Sequence, residues 1–300
     1  SSILITRINM FLLDNTLTKE QLYSQFVCGD TLSNTFSRKF SVVLGNPPWC
    51  YDFSKEETAY LTTNYNTAKN KGMESYDLFI EKGMSMLEES GYLAYVLPEA
   101  ILSVNSHQQA RELIVKNTAF KFVSYLGNAF AGVQCPAIIL GIQNGYHGET
   151  KGCRIELNNE EFIINANRDV DITSFSFNMS DEEYDCLQVI SSVQNAKYLA
   201  NNAKFALGIV TGNNKEYIAN EKKDGMEVIL KGSDIFRYAM KETDNYIQFA
   251  PEKFQQVAPT KMYRAEEKLL YRFIAEVPVF TYDNQQTLSL NSCNILIPQI

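Results

Sequence analysis

Residues 42–49 read Val-Val-Leu-Gly-Asn-Pro-Pro-Trp, an apolar run that passes directly into two prolines. Phe40 to Leu44 has the composition of a buried strand, and Gly45 stops it. The prolines fix φ near about −65° and push Asn46 out of the helical region. The chain must therefore leave this strand through a rigid corner that neither helix nor sheet can absorb.

The segments around the corner alternate between two periods. Ile3 to Leu13, Tyr76 to Leu87 and His107 to Val115 carry apolar residues at helical spacing. Tyr92 to Leu97, Phe122 to Leu126 and Ala137 to Ile142 are compact apolar runs, and Phe26 and Val27 predict a short strand ending at Gly29-Asp30. Such alternation predicts a mostly parallel, doubly wound α/β sheet, which binds ligands beyond the carboxyl ends of its strands. The corner lies at such an end. There the Asn46 amide oxygen and the Pro47 carbonyl can converge as two acceptors, with Trp49 as a flat apolar face beside them. Two acceptors and a stacking plate suit a planar –NH2 group on a ring or amide. The same residues also suit a strand-end turn over a core tryptophan, and only their place in an α/β domain favours the first reading.

Beyond Gly145 the texture changes. Arg154 to Leu157 and Glu161 to Ile164 are strand-like, and Asp181 to Val193 predicts a helix with Ser180 as its N-cap. From Phe205 onward, short strands and polar turns follow without alternation. With 27 basic against 35 acidic side chains the net charge is −8, which excludes coating nucleic acid through bulk positive charge. Only the stretch 201–275 is net positive. Six cysteines without a C-x-x-C pair, and only His107 and His147 beside them, argue against a metal site and for reduced thiols. No apolar run approaches the roughly 20 residues that span a bilayer.

Asn46-Pro47-Pro48-Trp49 after a strand resembles the catalytic motif of S-adenosylmethionine-dependent methyltransferases acting on amino groups. The Asn form is similar to that of the N6-adenine DNA methyltransferases of restriction–modification systems. The flanks agree in order. Cys28-Gly29-Asp30-Thr31-Leu32 resembles the cofactor-adenine motif, whose Asp accepts from the cofactor's exocyclic amine. Tyr76 to Lys82 resembles the next motif, whose Phe79 would pack near that adenine. Gly91 to Pro98 resembles the following strand. Leu126 to Phe130, with Cys135 to Ile142, resembles the last motif, whose aromatic helps hold a flipped base. The resemblance thus implies Asn46, Pro47, Pro48 and Trp49 as catalytic residues and Trp49 with Phe130 as the target-base pocket. Asp30, Thr31, Leu32 and Phe79 would bind the cofactor. Taken singly, Asp30 also suits a surface turn and Phe79 a helix core.

Gly208 to Lys215, Lys231 to Ile235 and Lys268 to Arg272 resemble elements of a TaqI-like specificity domain. Lys215, Lys231, Arg237, Lys268 and Arg272 are then candidates for DNA contacts, with Lys261 and Arg264 beside them; two or three of the set would touch DNA. The implied fold is a partial Rossmann-like methyltransferase sheet, its first strands missing, followed by a mostly β target-recognition domain. Its implied divisions are a catalytic domain over 1–165, a linker with a helix over 166–200 and the recognition domain over 201–300. Implied partners are S-adenosylmethionine, double-stranded DNA and a restriction nuclease, fused or separate, in a bacterial or archaeal cytoplasm and away from membranes.

The family's glycine-rich cofactor loop has no counterpart, since residues 1–29 contain one glycine, Gly29. The expectation is a fragment with an exposed sheet edge, a target-amine pocket, part of an adenine pocket, weak or no cofactor binding and no activity alone. Ile295 to Pro298 ends inside strand-like texture, so the recognition domain is expected to be cut short too. The competing readings are an RNA or protein-glutamine amino-group methyltransferase and a non-catalytic DNA specificity subunit.

Overall fold

The computed structural model describes residues 2–69, 72–130, 132 and 135–299. The chain divides into two compact units, Ser1–Ile190 and Ser191–Ile300. In the first, α1 (Ser2–Leu13) and α2 (Lys19–Gln25) precede β1 (Phe40–Gly45), α3 (Lys55–Asn64), α4 (Ser75–Ser85), β2 (Leu87–Pro98), α5 (Gln108–Asn117) and β3 (Thr118–Gly127). Then come β4 (Ala137–Asn144), β5 (Arg154–Leu157), β6 (Glu160–Ile163) and α6 (Asp181–Ser191).

The strands form one sheet in the order β1-β2-β4-β3-β5-β6. It is mixed, not mostly parallel. β1–β2 and β3–β5 are parallel, while β4 runs antiparallel to both β2 and β3, and β6 antiparallel to β5. The cause is connection length: residues 128–136 are too few for the crossover of a dozen or more residues that a parallel pair requires. Both Pro98 and Gly127 align with Ala137, so the carboxyl ends of β2 and β3 meet the start of β4 at one end of the sheet. β1 points the same way as β2, with Gly45 opposite Tyr95, and delivers its corner to that end.

α4 packs on the sheet through buried Tyr76, Ile80 and Met84. A Cβ at Gly83 would lie 2.5 Å from Leu93 Cδ1 and Tyr95 Oη, so this close approach requires glycine. β1 is an edge strand among the described residues; it buries Val43 and leaves Leu44 72% exposed.

Two expectations need correction. Phe26 and Val27 form no strand: Phe26 is the C-cap of α2, its N–H bonded back to Leu22, and no described strand lies alongside. Nor is the first part of 166–200 a linker. Phe175 and Phe177 are buried against Phe120, with ring centroids 5.2 and 4.8 Å away. Buried Arg168 pairs with Asp181 at 2.7 Å, and buried Arg111 donates to the carbonyls of Ile172 and Thr173. Ser180 caps α6 as its sequence predicts, accepting from the Glu183 amide at 3.2 Å.

The second unit is mostly β. Its strands are β7 (Ala203–Ala206), β8 (Ile218–Ala219), β9 (Glu227–Leu230), β10 (Ile235–Phe236), β11 (Ala239–Met240), β12 (Tyr246–Ile247), β13 (Lys268–Arg272), β14 (Phe280–Asp283), β15 (Leu288–Ser289) and β16 (Cys293–Pro298). They build two four-stranded sheets, β15-β9-β12-β8 and β14-β13-β16-β7, and the β10-β11 hairpin. Ile209, Ile229, Ile247, Leu270 and Ile295 share one core.

Candidate functional site

The corner after β1 leaves Asn46 exposed, Pro47 buried and Trp49 half-buried. Cys50 then turns the chain away with φ of 53°. The Asn46 carboxamide makes no hydrogen bond within the described residues. Trp49 meets Phe130 edge to face, with centroids 5.3 Å apart and planes at 89°. They meet because both follow strands whose carboxyl ends lie at one end of the sheet. The contact is not a sandwich: a ring between them needs faces about 7 Å apart, twice an aromatic contact distance. The indole N–H of Trp49 is buried without a partner among the described residues, and an unsatisfied buried donor costs about 1–3 kcal/mol.

Beside the corner lies a cavity of about 480 Å³, lined by Asp30, Leu32, Pro48, Tyr51, Glu56 and Phe79 among others. Two of its lining residues, Leu32 and Leu61, belong to a small core with Tyr65, Ala68 and Leu78, against which Phe79 packs. The 30–34 loop is pinned from three sides. Asp30 accepts from the amides of Leu32 and Ser33 at 3.1 and 3.0 Å, Tyr65 donates to the Leu32 carbonyl at 2.6 Å, and Lys82 donates to the Asn34 carbonyl. Partial burial works against ionisation of Asp30, but hydrogen bonds from Ser33 and Leu32, with the Lys82 charge, outweigh it and hold the carboxyl below its ordinary value. A carboxylate offers about four lone-pair sites, so acceptor capacity remains for a ligand donor. Asp30, Leu32, Phe79 and Pro48 thus share one cavity, whereas Thr31 is not among its lining residues.

Sequence reasoning missed the other walls. Tyr51 and the first turns of α3 line the cavity, α3 being started by a capping box in which Ser54 and Glu57 bond reciprocally. It also missed the first turn of α4. Buried Ser75 donates to the Pro48 carbonyl at 2.5 Å. Tyr76 Oη lies 2.7 Å from His107 Nε2, and His107 Nδ1 2.9 Å from Asp77, all three side chains buried. Burial raises the Asp77 carboxyl above its ordinary value despite His107. Apolar periodicity reports a helix here, but no spacing rule reveals which loop its polar residues reach.

The basic residues of the second unit divide differently. Lys268 is fully buried, paired with Asp283 at 2.6 Å and donating to the Tyr263 carbonyl, so it is not available to DNA. Arg272 donates to the carbonyls of Gly232 and Ile235, a second structural role where a DNA contact was expected. Lys231 is half-buried against Asn245, and Arg264 forms a two-pronged pair with Glu227 at 2.6 and 2.7 Å. Lys215, Arg237 and Lys261 remain exposed.

Two family models match the chain, in separate segments. Residues 3–130 match the Eco57I restriction-modification methylase family, and residues 227–300 match the TaqI-like C-terminal specificity domain. The chain carries an Eco57I-like restriction–modification methylase domain and a TaqI-like specificity domain, and its homologues are Type II methyltransferases. Among them, the Type II methyltransferase M.VspI of Vibrio sp. (strain 343) is 30% identical over 220 residues, covering 69% of this chain and 51% of that protein. M.TthHB8I of Thermus thermophilus is 28% identical over 137 residues, covering 42% and 31%. The chain therefore spans about half, or less, of the length of these relatives. The solved Type IIL restriction-modification enzyme MmeI, in complex with DNA, shares the fold with a TM-score of 0.55 at 11% identity, over 86% of this chain and 41% of that one. The DrdV–DNA complex gives 0.53 at 9% identity, over 92% and 37%. No helix of the described residues is long and apolar enough to cross a membrane.

Proposed function

We propose that this chain provides the target-amine pocket, the adenine side of the cofactor pocket and a DNA-recognition unit of a site-specific DNA adenine-N6 methyltransferase. The observation that carries the reading is the shared cavity: Asp30, Leu32 and Phe79 face the same space as Pro48 of the Asn-Pro-Pro-Trp corner. An acceptor, an apolar wall and an aromatic ring are the groups that hold an adenine, so these residues fit the nucleoside end of S-adenosylmethionine. When bound, that cofactor supplies an activated methyl group.

The chain's own residues handle the target. A base flipped from the duplex loses a few kcal/mol of pairing and stacking. Stacking on Trp49 returns about 1–3 kcal/mol, once Phe130 gives up its edge-on contact with the indole. The Asn46 oxygen and Pro47 carbonyl accept the two amino hydrogens. This localises the nitrogen lone pair, which ring conjugation otherwise withdraws, so no strong base is needed and the displaced proton leaves to solvent. The advantage lies in orientation and fixed dipoles. On this reading the exposed Lys215 and Arg237 are the candidates for phosphate contacts.

The test is labelled methyl transfer by the full reading frame, offered DNA, RNA and protein separately. Label at adenine N6 in DNA is expected. Label in RNA or protein moves the assignment to another amino-group methyltransferase, and no label with no cofactor binding supports a specificity subunit.

A further inference from the structure

The Asn46–Trp49 corner is hard to hold in place. Pro47 and Pro48 have no N–H, so two of its peptide units cannot be tied down as donors. Anchoring must come through carbonyls or packing. Among the described residues one side chain donates to this corner: Ser75, fully buried, whose hydroxyl bonds the Pro48 carbonyl at 2.5 Å. The donor is itself fixed. The two residues after it are locked through His107, with Tyr76 Oη at 2.7 Å and Asp77 at 2.9 Å, and their helix lies against the sheet through Gly83. Ser75 is therefore a stationary post, not a surface hydroxyl that happens to lie near a loop.

We propose that Ser75 is a positioning residue for the amine site. By holding the Pro48 carbonyl inward, it sets the angle at which the Asn46 amide and the Pro47 carbonyl face the target nitrogen, and it fixes the root of Trp49. The proposal rests on the amino-methyltransferase reading for its catalytic consequence but not for the anchoring itself. Two measurements separate these.

Trp49 is the single tryptophan of the 300-residue chain, so its fluorescence reports the corner directly. Ser75→Ala is expected to raise acrylamide quenching of Trp49 about twofold, while Ser75→Thr, which keeps the hydroxyl, stays close to wild type. In the full protein, Ser75→Ala should lower kcat about tenfold to a hundredfold, because misplacement by an ångström has effects of that order. The KM for DNA and the Kd for S-adenosylmethionine should stay within about threefold, and Ser75→Thr should recover most of the loss. Wild-type quenching and kcat in a folded Ser75→Ala protein would overturn the proposal. So would a loss confined to cofactor affinity, a Thr variant no better than Ala, or a Ser75→Ala chain that does not fold, which makes the residue structural. If the wild-type protein transfers no methyl to DNA, the functional reading fails, and Trp49 quenching still decides the anchoring.

Discussion

The two units use their polar residues in opposite ways. In the first, the residues named by motif gather around one space: Asp30, Phe79 and Pro48 line the same cavity, and Trp49 touches Phe130. In the second, four of the seven basic residues named by type are committed to the fold: Lys268 to Asp283, Arg272 to two carbonyls, Arg264 to Glu227 and Lys231 to Asn245. A motif at a strand end carries its geometry with it, because prolines and strand direction determine where the next side chains point. A lysine in a β-rich segment carries none, since a long side chain reaches either solvent or a buried carboxylate.

The largest effect that could break this contrast is at Lys268. Lys268→Met leaves Asp283 charged and buried without its partner and should cost the second unit about 3–5 kcal/mol, measured by urea unfolding. A loss below about 1 kcal/mol, with weakened DNA binding, would return Lys268 to the recognition surface.

Next in size is Asn46→Ala in the full protein. Removing one of two fixed acceptors should lower methyl transfer about 10²–10³-fold, on the order of 2.7–4 kcal/mol, with cofactor affinity little changed. Transfer near the wild-type rate would detach the corner from the chemistry.

Asp30→Ala should weaken S-adenosylmethionine binding by about 1.5–3 kcal/mol by calorimetry, the range for a hydrogen bond to a charged group. The sign of its pH dependence follows from its lowered pKa. The folded carboxyl ionises below the ordinary value of about 3.9, so its contribution is complete above that value and disappears only as pH falls through the lowered one. Affinity should therefore be flat between about pH 5 and 8, and a midpoint near neutrality would exclude Asp30 as the acceptor.

The smallest effects sharpen the other side of the contrast. Lys215→Ala and Arg237→Ala should leave unfolding within about 0.5 kcal/mol of wild type. Each should reduce the salt dependence of DNA binding by about one unit of slope. An unchanged slope for both would place the DNA-facing surface elsewhere in the unit.

Much of the first unit was legible. The α4 and α5 helices, the strands β1 to β6 and the Ser180 cap follow from local periodicity and capping chemistry. The direction of β4 was not, because apolar runs look alike in parallel and antiparallel sheets, and the short 128–136 connection had to be weighed against the pattern. The role of 166–190 was hidden because Arg168 and Phe175 are unremarkable until the partners that bury them are known.

What the amino-acid order determined alone is local: a strand stopped by Gly45, a proline-locked corner holding Asn46 and Trp49, and a loop in which the Asp30 carboxylate accepts from the amides of Leu32 and Ser33. These rest on torsions and contacts within a few residues, which sequence encodes directly. The tertiary structure decided what lies far apart in sequence and close in space. It placed Phe130 on Trp49, joined Asp30 and Pro48 in one cavity, set Ser75 under the Pro48 carbonyl and buried Lys268 beside Asp283. Such pairings depend on how strands order themselves and how helices settle on them, and many sequences of the same local pattern would distribute them otherwise.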